Sequence, residues 1–475
     1  MITARSGPCE AETIRSTRGT APCAAHQKRW VLAATILAST IAYVDESVVN
    51  IALPVIGRDL SAAAATLQWV INAYTLCLAA FLLVGGAAGD RLGRRRVFIA
   101  GVVLFAVASL ACGLARDVAQ LIAARAAQGI GAALLIPCSL AIIGAGFPEA
   151  ERGRAIGTWA GFSAISAAIG PMLGGWIVDH LPWQAIFFVN PILGLAALWI
   201  AWRHLPESID PQAPAAIDWL GALLVFAGLG SLAYGLIALP DGGWQDMSIV
   251  AVLAGGVVLL ALFVWHEAHA PAPMMPLGLF RSVPFSAVNA LTLLLYGALG
   301  GAFFLLPFDL ISVHGYSATT AGAVFLPSTA IMAALSRWSG GLLDRFGARL
   351  PLIAGPAIVA VGFALFALAG PQASFAMAFL LPVSIVGLGM AVTVAPLTTT
   401  VIAAVPDRQT GVASGINNTV ASVANLFAIA AFGALALHGA LADGIRLAML
   451  VAAGLALAGA ACAALAIRRG VAPAR

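Results

Sequence analysis

The sequence predicts an all-α polytopic membrane protein with fourteen transmembrane helices, arranged as two six-helix bundles with two extra helices between them. Three observations carry this. The 475 residues are 61% hydrophobic and only 9% charged, with a mean hydropathy of +0.99, whereas soluble domains carry about 25% charged residues. Segment after segment supplies the roughly 20 predominantly apolar residues that a bilayer-crossing helix needs. Two loop sequences from the first part of the chain return later at a nearly constant offset.

The chain opens on a polar tail, residues 1–29, with Arg5, Arg15, Arg18, Lys28 and Arg29. The tail and the apolar run after it mimic a signal peptide. There is no convincing small-residue cleavage site, and the acids Asp45 and Glu46 interrupt the run, so the first helix is expected to stay in place. The expected spans are 30–54, 64–88, 97–115, 118–147, 153–178 and 183–203, then 219–239 and 247–268. A further six follow at 284–312, 318–340, 350–369, 374–404, 411–437 and 444–467. They divide the chain into an N-terminal bundle, 30–204, a central region of linkers and two extra helices, 205–281, and a C-terminal bundle with a short tail, 282–475.

The repeat sets that division. "GAAGDRLGRR", residues 86–95, returns as "GGLLDRFGAR", residues 340–349, and "PEAERGRAIG", 148–157, returns as "PDRQTGVASG", 406–415. Asp90 and Asp344 are 254 residues apart, and Pro148 and Pro406 are 258 apart. Six spans with their loops fill only about 175 residues, which leaves room for the two central helices. Charge gives the orientation. With the N-terminus inside, 20 of the 24 basic residues fall in inner segments and only Arg58, Arg116 and Arg446 in outer loops, while Arg125 lies within a span. That bias places both termini in the cytoplasm.

Several function classes are excluded on composition. The basic residues are spread between apolar runs, so the net charge of +4 reads as topology rather than a nucleic-acid surface. Cys77, Cys112, Cys138 and Cys462 sit in apolar segments, and Cys9, Cys23 and His26 lack metal-finger spacing, so no metal is expected. There is no H-E-x-x-H or G-x-S-x-G motif for an enzyme, no nucleotide motif, no channel filter and no cofactor signature. A duplicated bundle instead suits a transporter whose halves rock about a central site.

The most informative stretch is "IAYVDESVVNIALP", residues 41–54. Each acid costs roughly 2.5–3.5 kcal/mol at a helix centre and is kept where it faces a protein interior or a wet cavity. Adjacent residues point ~100° apart on a helix, so Asp45 and Glu46 serve different surroundings. Glu46 shares a stripe with Tyr43 and Asn50. Arg125, in "RAAQGIGAALLIP", is a second ionisable group inside a span, with Gln128 three residues on, and the C-terminal half has no arginine at the matching place.

These stretches, with "GAAGDRLGRRR", "GTWAGFSAISAAIGPMLGG", "LQWVINAYTL" and "IDWLGALLVFAGLG", resemble the fourteen-helix drug:proton antiporters (EmrB/QacA type) of the major facilitator superfamily. The resemblance runs from Trp30 to about Arg469 and implies the major facilitator fold. It implies export of amphipathic, often cationic, small molecules in exchange for protons across the bacterial cytoplasmic membrane. Residue by residue, it implies proton coupling at Asp45 and Arg125, with Glu46 beside them, and gating by Gly86, Asp90, Arg91, Gly93, Arg94, Asp344 and Arg345. It also implies an antiporter helix marked by Gly157, Gly170, Pro171, Gly174 and Gly175. The polar and aromatic residues Asn50, Tyr74, Gln128, Trp159, Phe162, Asn289, Tyr296, Asp309, Asn417 and Asn418 are the candidates for substrate contact. Three places depart from the pattern: Ser166 stands for a glycine, Pro191 comes one place early after Asn190, and Asp309 stands for a tyrosine. The expected partners are the substrate, protons and the lipid bilayer. No motif specifies accessory efflux subunits. The competing readings are a dedicated exporter of one metabolite, antibiotic or lipid, and a transporter-derived sensor.

Overall fold

A computed structural model describes residues 25–210, 216–369, 374–406, 409–436 and 440–467, and the elements among them are helical. The first bundle comprises α1 (Ala25–Asp59), α2 (Ala64–Leu92), α3 (Arg94–Gly113), α4 (Val118–Gly146), α5 (Glu149–His180) and α6 (Ala185–His204). A hairpin of α7 (Trp219–Gly242) and α8 (Met247–His269) follows. The second bundle comprises α9 (Val283–Phe308), α10 (Ala318–Ala323), α11 (Leu326–Gly340), a short α12 (Leu342–Phe346), α13 (Arg349–Leu368), α14 (Leu381–Ala403), α15 (Thr410–Ala436) and α16 (Leu441–Ala466). Cys9 and Cys23 of the expected N-terminal tail lie outside the described residues.

Thirteen helices among the described residues are long and apolar enough to cross a membrane. The remaining expected span, 153–178, lies in α5, whose 32 residues reach ~48 Å at ~1.5 Å each. Two expected spans are less regular than their hydropathy suggested. Residues 318–340 split at Val324–Phe325, because Pro327 has no N–H to continue the ladder and instead sits in the first turn of a restarted helix. Residues 374–404 begin with a π-helical turn, Ala376–Leu380, ahead of Pro382 for the same reason. A second π-turn, Asp309–Val313, ends α9.

The packing repeats as the sequence does. In the first bundle α1 lies against α5 and α6, α2 against α4, and α3 against α4 and α6; in the second, α9 lies against α15 and α16, α11 against α14, and α13 against α14 and α16. The hairpin follows neither pattern. α7 runs along the seam between bundles, touching α2 on one side and α15 on the other, with Leu76, Leu229, Ala233 and Leu426 forming a small shared core. Much of α8 turns Val257, Val258, Leu262 and Trp265 outward, as suits a lipid-facing surface.

The two ends of the bundle differ. One carries the repeated loops, in which Gly93 and Gly347 occupy matching positions with φ of 108° and 68°, a region that favours glycine. This is the signature end. At the far end the halves are in contact. Gly175 of α5 lies against the backbone of Ala318 and Thr319, and Gly322 of α10 lies against that of Pro171 and Met172, with no room for a β-carbon at either glycine. Toward the signature end α5 parts from the second bundle, and Gly157 and Gly161 have nothing within 4 Å of a β-carbon position.

Candidate functional site

Five helices of the first bundle place one buried charge pair. Gly129, one turn beyond Arg125 on α4, lets that helix approach the carbonyl of Tyr74 on α2. The same approach lets Arg125 Nε donate to Val70 O at 3.1 Å. Arg125 is fully buried and Asp45, on α1, is 3% exposed. Arg125 Nη1 pairs with Asp45 Oδ2 and also donates to Gln128 Oε1 at 2.6 Å. The other carboxylate oxygen, Asp45 Oδ1, accepts Gln128 Nε2 at 2.8 Å and Asn190 Nδ2, from α6, at 2.7 Å. Asn190 in turn donates to Ser109 Oγ on α3 at 2.9 Å, and Ser109 to Phe187 O at 2.8 Å. The guanidinium lies 4.3 Å from the centre of the Tyr74 ring.

Desolvating two charges costs several kcal/mol per ion, and only good geometry with additional hydrogen bonds offsets it. Here those bonds are supplied by side chains and a carbonyl from the surrounding helices. Asn190 and Ser109 escaped the sequence reading: Asn190 was visible in "FVNPILG", but a serine in an apolar helix carries no signal. Tyr74 and Gln128, expected to line substrate, are instead buried parts of this network in the described conformation. Trp159 is likewise buried, its Nε1 donating to Ser39 Oγ at 2.9 Å.

Glu46 sits differently. It is half-buried, outside the hydrogen-bonded network, on the stripe with Tyr43 and Asn50. Asn50 Nδ2 donates to the main-chain oxygen of Glu46 at 3.3 Å, leaving Asn50 Oδ1 buried without a donor. Across the seam Tyr296 of α9 is partly buried. In the second bundle Asn417 Nδ2 bridges Asn289 Oδ1 at 3.1 Å and Thr292 Oγ1 at 2.8 Å. Asn418 is exposed, as is Phe162 at 50%. Asp309 lies apart in the far-end π-turn, 3.4 Å from His314 Nδ1. A cavity lined by Pro276, Leu279, Ser282 and Gln409 is separate from all of these.

The loop of α2 and α3, where gating is expected, is held by the linker that follows α6. Arg94 Nε donates to Asp90 Oδ1 at 2.8 Å, and Arg94 Nη2 is 4.0 Å from Asp210. Main-chain bonds from Arg94 N to Ser208 O at 3.0 Å and from Asp210 N to Asp90 O at 2.9 Å lay residues 208–210 over the loop. Glu207 Oε1 accepts the Arg95 amide at 3.0 Å, satisfying a free donor at the start of α3. Arg91 is exposed, and Gly86 makes ordinary contact with Pro137. Arg345 is exposed; the side chain of Asp344 lies outside the described residues. The acids of "PESID" were the unread signal here.

The residues of the expected antiporter helix, α5, pack unevenly. Gly170, Gly174 and Gly175 pack tightly, Pro171 lies within the helix, and Gly157 faces open space. Ser166, where the pattern has glycine, bonds Thr40 Oγ1 on α1 at 2.9 Å. Asp179, near the end of α5, reaches the second bundle: it accepts the Ala318 amide at 3.1 Å, the Thr319 amide at 2.7 Å and Thr319 Oγ1 at 2.6 Å.

Comparison with known proteins adds the following. The sequence profile of the Major Facilitator Superfamily matches residues 35–429. The multidrug resistance protein Stp of Mycobacterium tuberculosis (strain CDC 1551 / Oshkosh) is 36% identical over 403 residues, covering 85% of this chain and 74% of that protein. The tetracenomycin C resistance and export protein of Streptomyces glaucescens is 36% identical over 392 residues, covering 82% and 72%. In three dimensions the inward-open xylose transporter XylE from E. coli aligns over 93% of this chain and 96% of its own, with a TM-score of 0.65 and 16% identity, a likeness of fold.

Proposed function

The chain belongs to the major facilitator superfamily, an integral membrane protein among small-molecule transporters, and on that premise we propose that it exports amphipathic, chiefly cationic, compounds in exchange for protons. The observation that carries the proposal is the buried Asp45–Arg125 pair, one helix position from a half-buried, unpaired Glu46. The names of the two relatives, multidrug resistance and antibiotic export, support the substrate class.

The geometry gives each acid a task. Asp45 is buried with both its oxygens engaged, so a substrate cannot reach it without dismantling the network. A proton can. Protonation removes the charge that holds Arg125 and converts one acceptor oxygen to a donor, so the contacts tying α1 to α4 and α6 must rearrange. Glu46 faces the other way and meets cationic cargo, and both carboxylates feel the charge of Arg125. Cargo at Glu46 and a proton at Asp45 therefore act on one shared positive charge. The rearrangement biases the rocking of the halves, which in the described conformation touch at the far end through α5 and α10, whereas Gly157 and Gly161 of α5 face open space nearer the signature end. We assign the signature end and both termini to the cytoplasm from the arginine bias, in the cytoplasmic membrane of a bacterium. The open face then receives cargo from inside. The driving force is the proton gradient, whose electrical part supplies ~2.3 kcal/mol per charge per 100 mV.

A second reading, a dedicated exporter of one antibiotic, is favoured by the name of the Streptomyces relative. Proteoliposomes carrying a pH gradient, presented with cationic, neutral and anionic compounds while proton movement is recorded, decide between them. Proton-coupled flux of several chemically unrelated cations supports multidrug export. Flux of one compound alone supports the dedicated exporter, and flux without proton movement rejects antiport.

A further inference from the structure

The base of the extra hairpin, at the signature end, holds a cluster that the coupling network does not use. Asp218 caps α7: its Oδ1 accepts the Gly221 amide at 2.8 Å and also meets His266 Nε2, from the end of α8, at 2.8 Å. Glu267, beside His266, is 3% exposed, and its Oε2 accepts the Met275 amide at 2.9 Å. Met275 lies in the linker that enters the second bundle.

Each carboxyl has a second oxygen. Asp218 Oδ2 and Glu267 Oε1 are both buried with no donor, on side chains that are almost wholly enclosed, that of Asp218 being 7% exposed. The two oxygens crowd one point: a β-carbon at Gly221 would lie 2.6 Å from Asp218 Oδ2 and 3.0 Å from Glu267 Oε1. Two ionised carboxylates cannot remain this close in a buried site, since like charges disfavour ionisation of one of them. A single proton satisfies both oxygens, with one acid donating to the other.

We propose that Asp218 and Glu267 share one proton, forming a second proton-binding site, apart from Asp45 and Arg125, that fastens the α7–α8 hairpin to the linker entering the C-terminal bundle. Solvent supplies the proton, which neutralises one carboxylate. Burial pushes the Asp218 carboxyl up, but the Gly221 amide and His266 outweigh it and hold it below the usual carboxylate range, so the proton resides on Glu267.

The charges that act on the pair are those of its own members and His266. His269 is turned to the Trp265 carbonyl, residues 270–280 carry no charge, and α15 carries none. On α2 the charged residues are Asp90, which is engaged by Arg94, and Arg91. Because α7 bridges α2 and α15, the state of this proton sets how firmly the hairpin ties the two moving halves, which makes the site a sensor of pH at the signature end.

Infrared difference spectroscopy of the full-length protein in liposomes, without substrate, tests the proposal. A protonated-carboxyl C=O band present at neutral pH is expected in the wild type and lost in both Glu267→Gln and Asp218→Asn. Glutamine imitates the protonated acid, so Glu267→Gln is also expected to keep its transport rate while losing the dependence of that rate on pH at the signature end. A band undiminished in Glu267→Gln overturns the proposal. So does a wild-type band abolished by sodium at constant pH, which requires no variant and points to a metal cation instead. Neither spectroscopic result depends on whether the protein exports drugs.

Discussion

Removing the carboxylate of Asp179 opens the far end. Three hydrogen bonds from this side chain cross from α5 to the first turn of α10, at 3.1, 2.7 and 2.6 Å. Hydrogen bonds to a charged group contribute ~1.5–3 kcal/mol when sheltered. Asp179 is exposed, and exposed charged contacts are worth roughly 0.2–1 kcal/mol each. The three together favour the far-closed state by about 1–2 kcal/mol, a factor of roughly 5–30 in the ratio of conformers. Asp179→Ala forfeits all of this. Asp179→Asn keeps the shape and one acceptor oxygen, so its effect is smaller. Spin labels at Arg116→Cys and Val313→Cys, flanking the far end in a cysteine-depleted protein, report the separation of the halves by pulsed electron resonance. The long-distance population is expected to rise in the order wild type, Asn, Ala. An unchanged distance distribution in Asp179→Ala would show that these bonds do not hold the end shut.

Other outcomes follow from the same geometry. Glu46→Gln is expected to weaken export of cationic compounds by about tenfold while sparing neutral ones, in side-by-side flux measurements; equal loss of both counts against cation recognition. Gly93→Ala combines a φ of 108° with a β-carbon 2.7 Å from the Glu207 carboxylate, whereas Gly347→Ala has only its φ of 68° and open space. Thermal unfolding is therefore expected to show the larger loss for Gly93→Ala, strain of ~1–3 kcal/mol being common to both; equal losses would remove the role given to Glu207. Reporters active only in the cytoplasm, fused to each terminus, are expected to work at both, and a stable but inactive C-terminal fusion contradicts the even span count.

The sequence made the architecture legible because hydropathy, arginine placement and repetition are all linear signals. Glycines at the matching positions 93 and 347 both adopt a positive φ. What escaped was whatever depends on which side of a helix faces which neighbour. Asp45 and Arg125 could be named as intramembrane charges, but Asn190 and Ser109, which complete their network, look like ordinary span residues. An aromatic in a span reads equally well as pocket or core, and in this conformation Tyr74 and Trp159 are buried. The glycines of α5 form one sequence pattern, yet contacts divide them: 170, 174 and 175 pack, while 157 does not. Asp179 and Glu207 were missed because they hold backbone amides of distant segments, and an amide has no letter in a sequence. The break before Pro327 was readable in principle; hydropathy averaged over it.

Proton coupling through Asp45 is tested most directly by uphill efflux driven by a pH gradient, measured in proteoliposomes with proton movement recorded at the same time. Replacing Asp45 alone leaves Arg125 buried without its counter-charge, at a cost of ~3–5 kcal/mol. Asp45→Asn is therefore paired with the double variant Asp45→Asn/Arg125→Gln, which removes both charges and protects the fold. Both variants are predicted to bind cationic substrate and to let it move down its own gradient, with no uphill transport and no substrate-dependent proton movement. Uphill, proton-linked export by folded Asp45→Asn, with its loss in Glu46→Gln, would contradict the assignment and transfer the coupling proton to Glu46.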